Sequence, residues 1–159
     1  MGYAIRITVR LGLLLTMVLC LAAPRSIYAT PPEGNILDEG GLTQLEARAQ
    51  TSQPREQCFL YAELVHQLTE MAGRQLANGE GDHASLTLRR IDTLVQKIHM
   101  SLARDTKKLK NAELLIHYTT RRLADMMHIA SNDDRPVLEA TLKSLNTVQN
   151  ELLTQVFVH

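Results

Sequence analysis

The longest uninterrupted helical pattern in the chain runs from Ala84 to Ala130 and reads ASLTLRRIDTLVQKIHMSLARDTKKLKNAELLIHYTTRRLADMMHIA. Residues at alternating steps of four and three are apolar apart from Asp105 and Thr119, and neither Gly nor Pro interrupts the run. This spacing places the apolar residues on one face of an α-helix, whereas a half-buried strand would alternate apolar and polar residues. The pattern predicts one continuous helix over 83–130 that carries a long apolar seam.

Two further amphipathic segments flank this run. Residues 54–77 carry a wide apolar stripe, which indicates contact with more than one neighbouring helix, and residues 136–156 place Leu or Val at every third or fourth position. The glycines of residues 78–82 predict a tight turn, and such a short connection makes its two helices antiparallel neighbours. The expected fold is all-α: an elongated, coiled-coil-like antiparallel three-helix bundle around one long central helix, occupying residues 42–159.

Charged residues predict how the two helices of the first hairpin are aligned with each other. Acidic and basic side chains recur every seven residues on its two helices, which predicts the interhelical ion pairs Glu70–Arg90, Glu63–Lys97 and Glu56–Arg104. Facing residues of an antiparallel pair have a constant sum of residue numbers, and these pairs share an apex near residue 80. Each exposed pair contributes only about 0–1 kcal/mol. Two solvated faces with coincidental spacing are the alternative interpretation.

The first 29 residues have the three parts of a secretory signal peptide. Arg6 and Arg10 precede an apolar run over Leu11–Ala23, and Ala29 supplies a small residue at the expected cleavage position. The apolar run is much shorter than the roughly 20 residues that a membrane-spanning helix needs. We therefore expect residues 1–29 to be cleaved and the protein to be exported to the periplasm or secreted, with a retained anchor as the alternative.

Residues 30–41 are rich in Pro and Gly and predict a disordered leader. A short helix is expected over 42–50, before the sequence reaches Pro54. Proline suits the first turn of a new helix but also kinks a continuous one. The sequence therefore leaves two alternatives open, a break or a kink at Pro54.

Composition argues against several function classes. The 17 basic and 17 acidic side chains of the full chain become 14 and 17 without Arg6, Arg10 and Arg25, a formal charge of −3. This balance, with no Trp and 4% aromatic residues, gives no basis for expecting nucleic-acid binding. Cys58 is the one cysteine after position 29, so no intramolecular disulfide is expected in the mature chain. Its thiol is either a small buried group or a reactive, intermolecular one.

Motifs that carry chemistry are sparse. The chain has no GxSxG, no Gly-rich phosphate loop and no HExxH, so we expect no enzymatic activity and no cofactor. Glu63 and His66 have the ExxH spacing of helical metal sites, and the hairpin register brings His99 near the same level. These three residues are weak candidates for binding Zn²⁺ or Cu²⁺, because imidazoles beside an apolar stripe are more often simply solvated.

The sequence thus predicts an exported, non-enzymatic helical bundle that acts through protein–protein contacts, as an adaptor, a chaperone-like protein or a structural module of the envelope. Its partner is expected to be another protein or a second copy, and no membrane span is expected after signal cleavage. A bundle that binds a small ligand or a metal ion is the alternative.

Overall fold

The computed structural model describes residues 36–101 and 108–157. Within these ranges the chain forms five α-helices and no strand: α1 Glu39–Thr51, α2 Pro54–Ala77, α3 Gly81–Ser101, α4 Leu109–Met126 and α5 Arg135–Phe157. The all-α prediction is confirmed, and α2 has the predicted bounds. The expected signal peptide over 1–29 and residues 30–35 of the expected leader lie outside the described residues.

The first helix begins earlier than the sequence indicated. The side chain of Asp38 accepts a hydrogen bond from the backbone N–H of Gly41 at 2.7 Å, which satisfies one of the unpaired donors at the helix start. Residues 39–41, which were expected in the disordered leader, are therefore helical. Asp–Glu–Gly–Gly is a good helix start because the cap and the acidic first turn outweigh the two glycines.

The helical segment is interrupted before Pro54, so the chain forms two separate helices here. Thr51 ends α1, and the next two residues are extended, with ψ of 159° at Ser52 and 146° at Gln53. Pro54 then occupies the first turn of α2, where its missing N–H leaves no helical bond unmade. Of the two alternatives that the sequence left open, the structure shows the break.

The turn between α2 and α3 is closed by two backbone hydrogen bonds. The N–H of Glu80 donates to the carbonyl of Gln75 at 2.8 Å, and the N–H of Gly79 donates to that of Leu76 at 3.1 Å. Gly79 has a φ of 77°, a conformation that side chains disfavour. This arrangement ends α2 sharply and starts α3 at Gly81, two residues before the predicted position.

The antiparallel register of α2 and α3 is the predicted one. The hydroxyl of Thr87 donates to Oε1 of Gln75 at 2.8 Å, and the ammonium of Lys97 lies 5.4 Å from the ring centroid of Tyr61. In both pairs the mean of the two residue numbers is close to 80, which is the apex that the sequence predicted.

However, the predicted pairing of Glu63 with Lys97 and of Glu70 with Arg90 is wrong, because Arg90 and Lys97 contact Glu46 on α1 and Glu70 contacts Arg122 on α4. In the third predicted pair, Glu56 with Arg104, the arginine lies outside the described residues.

The continuous helix predicted over 83–130 is also wrong. Ser101 ends α3, and α4 runs beside α2 in the same direction. Lys108 contacts Glu56 at 3.6 Å, and Arg122 contacts Glu70 at 3.3 Å. Partners in both pairs are 52 residues apart in sequence, and a constant separation of this kind requires parallel helices. The apolar heptad pattern did not indicate this reversal, because the pattern can continue in the same phase on both sides of a chain reversal. Asp105 lies outside the described residues.

The helices α3 and α5 are also parallel, and their paired residues have the same separation in sequence as those of α2 and α4. The hydroxyl of Ser144 donates to Oδ1 of Asp92 at 2.6 Å, and Nδ1 of His99 lies 2.6 Å from Oε2 of Glu151. Each pair is again 52 residues apart. The fold is therefore a stack of two helical hairpins, α2–α3 and α4–α5, with α1 packed beside the first, and it replaces the predicted three-helix bundle.

The buried residues of the two hairpins repeat the same alternation of three and four residues. On the first helices, Cys58, Tyr61, Val65, Leu68 and Ala72 match Leu109, Ala112, Ile116, Thr119 and Leu123. On the second helices, Ala84, Thr87, Ile91, Leu94 and Ile98 match Leu138, Thr141, Leu145, Val148 and Leu152. One packing scheme thus serves both layers. None of the described helices is long and apolar enough to cross a bilayer.

Candidate functional site

The histidine of the ExxH motif bridges the two hairpins. Nδ1 of His66 lies 3.2 Å from the hydroxyl oxygen of Thr119 on α4. The same hydroxyl is hydrogen-bonded to the carbonyl of Leu115 at 2.8 Å. The contact gives this imidazole a packing role between α2 and α4.

The structure does not bring the three candidate metal ligands together. His66 is directed to α4, whereas His99 binds Glu151 on α5 at 2.6 Å. Glu63 lies one turn before His66 and is half-buried. No group of three or more His, Cys, Asp or Glu side chains suited to a metal ion occurs in residues 36–101 and 108–157. Of the ExxH pair, His66 contacts α4.

Cys58 lies in the core of α2, where it is 3% exposed. This confirms the interpretation of a small buried side chain. An intermolecular disulfide would require an accessible sulfur.

A charged cluster that the sequence did not reveal ties α1 to α3. The carboxylate of Glu46 accepts a hydrogen bond from Arg90 at 2.7 Å and lies 3.7 Å from the ammonium of Lys97. The hydrogen bond from Arg90, aided by the charges of Arg90 and Lys97, lowers the pKa of Glu46 despite its partial burial. Burial, with a smaller contribution from the negative charge of Glu46, raises the pKa of Tyr61. The cluster fixes the position of α1.

Replacing Glu46 with Gln is expected to lower the free energy of unfolding by about 1 kcal/mol at pH 7 and to have a smaller effect at pH 3. Because the folded-state pKa of Glu46 is below its ordinary value of 4.5, this carboxylate stabilises the fold above that value. Its contribution declines as the pH falls through the lower folded-state pKa. Urea unfolding at both pH values measures the difference, and the exposed Glu139→Gln on α5 is the matched control. An E46Q effect that is the same at both pH values would contradict the assignment.

The outward side of α4 carries two large apolar side chains. Leu114 is 48% exposed and Tyr118 is 54% exposed, and their i, i+4 spacing makes them neighbours on the helix surface. The Tyr118 ring meets His117 edge-to-face with a centroid separation of 6.0 Å, which helps to hold it. We call this surface the α4 outer face and define it by Lys110, Leu114, Tyr118, Arg121 and Asp125. The other large apolar residues that are exposed in residues 36–101 and 108–157 lie elsewhere: Leu86, Met100, Ile129 and Phe157.

A shallow groove of about 460 Å³ lies between α3 and α5. Its lining residues are Arg89, Asp92, Thr93, Pro136, Val137, Ala140 and Thr141, of which four are solvent-exposed. Small-molecule sites usually enclose most of the ligand surface. A ligand in this groove would remain largely in water, so the groove gives the small-ligand alternative little support.

The α4 outer face is the strongest candidate site, because the opposite side of this helix is fully used in the core. Residues 109, 112, 116, 119, 123 and 126 of α4 are all buried against α2 and α5. No protein-family model, curated protein or solved structure matches the chain.

Proposed function

We propose that the protein is an exported, non-enzymatic helical module that acts through protein–protein contacts made by the α4 outer face. The observation that carries this proposal is the exposure of Leu114 and Tyr118 as adjacent residues on the side of α4 that faces away from the core. An adaptor, a chaperone-like protein and a structural module of the envelope would all use such a surface.

The composition of this face resembles the centre and rim of a protein interface. Tyr is enriched at interfaces because it buries much area with few rotatable bonds and keeps a hydroxyl for hydrogen bonding. Covering the apolar surface contributes about 25 cal/mol per Å² removed from water. Charged side chains on both flanks, Lys110 and Asp125, are suited to a polar rim that orients a partner.

Export is proposed from the sequence. The basic residues Arg6 and Arg10, the apolar run Leu11–Ala23 and the small Ala29 follow the order of a cleavable secretory signal. A partner would then be met outside the cytoplasm, in the periplasm or in the medium.

Site-specific photo-crosslinking tests the proposal. With a photo-reactive phenylalanine analogue in place of Tyr118, illumination of the producing cells is expected to give a discrete protein adduct. The adduct should disappear when Leu114→Ser is added, because that change removes the neighbouring apolar contact. It should be recovered outside the cytoplasm. An adduct of twice the chain mass would identify a second copy, and any other mass a different protein.

The same analogue at Asn146, an exposed residue of α5, is the matched control and should give no such adduct. If position 118 captures nothing beyond what position 146 captures, contact through the α4 outer face is wrong. Protein recovered only from the cytoplasm would contradict export.

A further inference from the structure

We infer that the α4 outer face binds the same face of a second copy of this chain, with the two α4 helices antiparallel. This inference rests on the proposed function and names the partner. A symmetric dimer uses one surface patch on both subunits, so the patch must be complementary to itself. The α4 outer face meets this condition in one orientation only.

The charges decide the orientation. Lys110 lies on one flank of the apolar pair Leu114–Tyr118, and Asp125 lies on the other. Within the part of the chain that the structure describes, neither side chain makes an ion pair. In an antiparallel pair centred between residues 117 and 118, Lys110 lies level with Asp125 of the second copy. The two-fold axis repeats this contact, so each dimer holds two such pairs.

A parallel arrangement in register would oppose each residue to its own copy. Lys110 would face Lys110, Arg121 would face Arg121, and Asp125 would face Asp125. Like charges held opposite each other are repulsive at an interface. The charge pattern therefore favours the antiparallel dimer and disfavours the parallel one.

The apolar residues fit the same register. Tyr118 lies beside the two-fold axis, so the two tyrosine rings meet at the centre of the contact. Leu114 lies level with Arg121 of the second copy, whose aliphatic stem can cover it while the guanidinium stays in water. Arg121 is exposed and, among the described residues, has no intramolecular ion pair. The contact thus has an aromatic centre, an aliphatic surround and a charged rim.

The area of the α4 outer face limits the expected affinity of the dimer. Stable interfaces bury roughly 800 Å² on each partner, and one face of an 18-residue helix provides less than that. The dimer should therefore be reversible, with a dissociation constant in the micromolar range or weaker.

Charge exchange tests the inference. Sedimentation of the protein purified after export, over a range of concentrations, is expected to show a monomer–dimer equilibrium. Lys110→Glu and Asp125→Lys should each weaken it at least tenfold, because each creates two like-charge contacts. The double variant K110E/D125K should restore the dissociation constant to within about threefold of the original value. Both changes suit the helix dipole, since they place an acid near the start of α4 and a base near its end, so the fold should tolerate them.

Lys143→Glu on the exposed side of α5 is the matched control and should leave the equilibrium unchanged. A chain that stays monomeric throughout, or a double variant that does not recover, overturns the inference. The proposed function fails separately, when crosslinking at position 118 captures no protein at all. An adduct with a different protein would support the proposed function and overturn the dimer.

Discussion

Replacing Leu64 with Ala is expected to lower the free energy of unfolding by about 3 kcal/mol and the Tm by about 10 °C. Leu64 is 0% exposed and lies on α2, which packs against α1, α3 and α4. A helix enclosed by three neighbours cannot easily shift to fill the space of the three heavy atoms that the substitution removes. The loss therefore includes a cavity contribution as well as the transfer free energy of the side chain. Urea unfolding followed by circular dichroism measures it.

Leu86→Ala is the matched control, because it removes the same atoms from an exposed position of α3. Leu86 is 64% exposed, so its replacement should change the free energy of unfolding by no more than about 0.5 kcal/mol. Equal effects at the two positions would show that α2 is not enclosed in the way the structure describes.

Local chemistry made the ends of several helices predictable. Pro54 and Gly79 act through backbone geometry that holds in almost any protein, and both mark a boundary here. The restart near Pro136 was visible for the same reason, and α5 begins at Arg135, but α4 ends at Met126, four residues before the predicted stop after Ala130. A proline or a positive φ restricts its own residue and its nearest neighbours, so one sequence is enough to find it.

The direction of the chain after Ser101 was not predictable from periodicity. The apolar positions of α3 and α4 keep one heptad phase, and phase records which face is buried but not which neighbour buries it. One signal could have revealed the reversal. The alternation of buried residues in 58–98 recurs in 109–152, which indicates two equivalent hairpins stacked as repeats instead of one long helix.

The candidate sites also differ in whether local sequence or tertiary packing determines them. The ExxH motif gives Glu63 and His66 a common helix, but a metal site also needs ligands from other helices, and the stacking sends His99 towards α5 instead. The partner of Arg90 was equally hidden, because Glu46 belongs to a helix whose place depends on tertiary packing. Leu114 and Tyr118, in contrast, fall outside the apolar seam, so their exposure was implicit in the sequence.

Replacing Gly73 with Leu is expected to lower the free energy of unfolding by about 2 kcal/mol, and shortening Met126 should relieve much of this loss. A Cβ at Gly73 would lie 2.6 Å from Cε of Met126, well inside van der Waals contact, so a larger side chain must displace that methionine. Met126→Ala alone should cost about 2–3 kcal/mol by leaving a cavity. In the double variant the new leucine occupies that cavity, so the two changes should be coupled favourably by at least about 1 kcal/mol.

This coupling distinguishes the stacked hairpins from a continuous central helix. In a helix over 83–130 paired with α2 about residue 80, Met126 would lie roughly 60 Å from Gly73, and the two changes would simply add. The matched control is G73L/M127A, because Met127 is the next residue but is not the side chain against Gly73. Recovery with Met126→Ala and not with Met127→Ala would require Met126 of α4 to lie against Gly73 of α2, as it does in the stacked hairpins and not in a continuous helix over 83–130. Additive effects in both double variants would contradict the parallel contact, and with it the solvent-facing position of Leu114 and Tyr118 on which the proposed function depends.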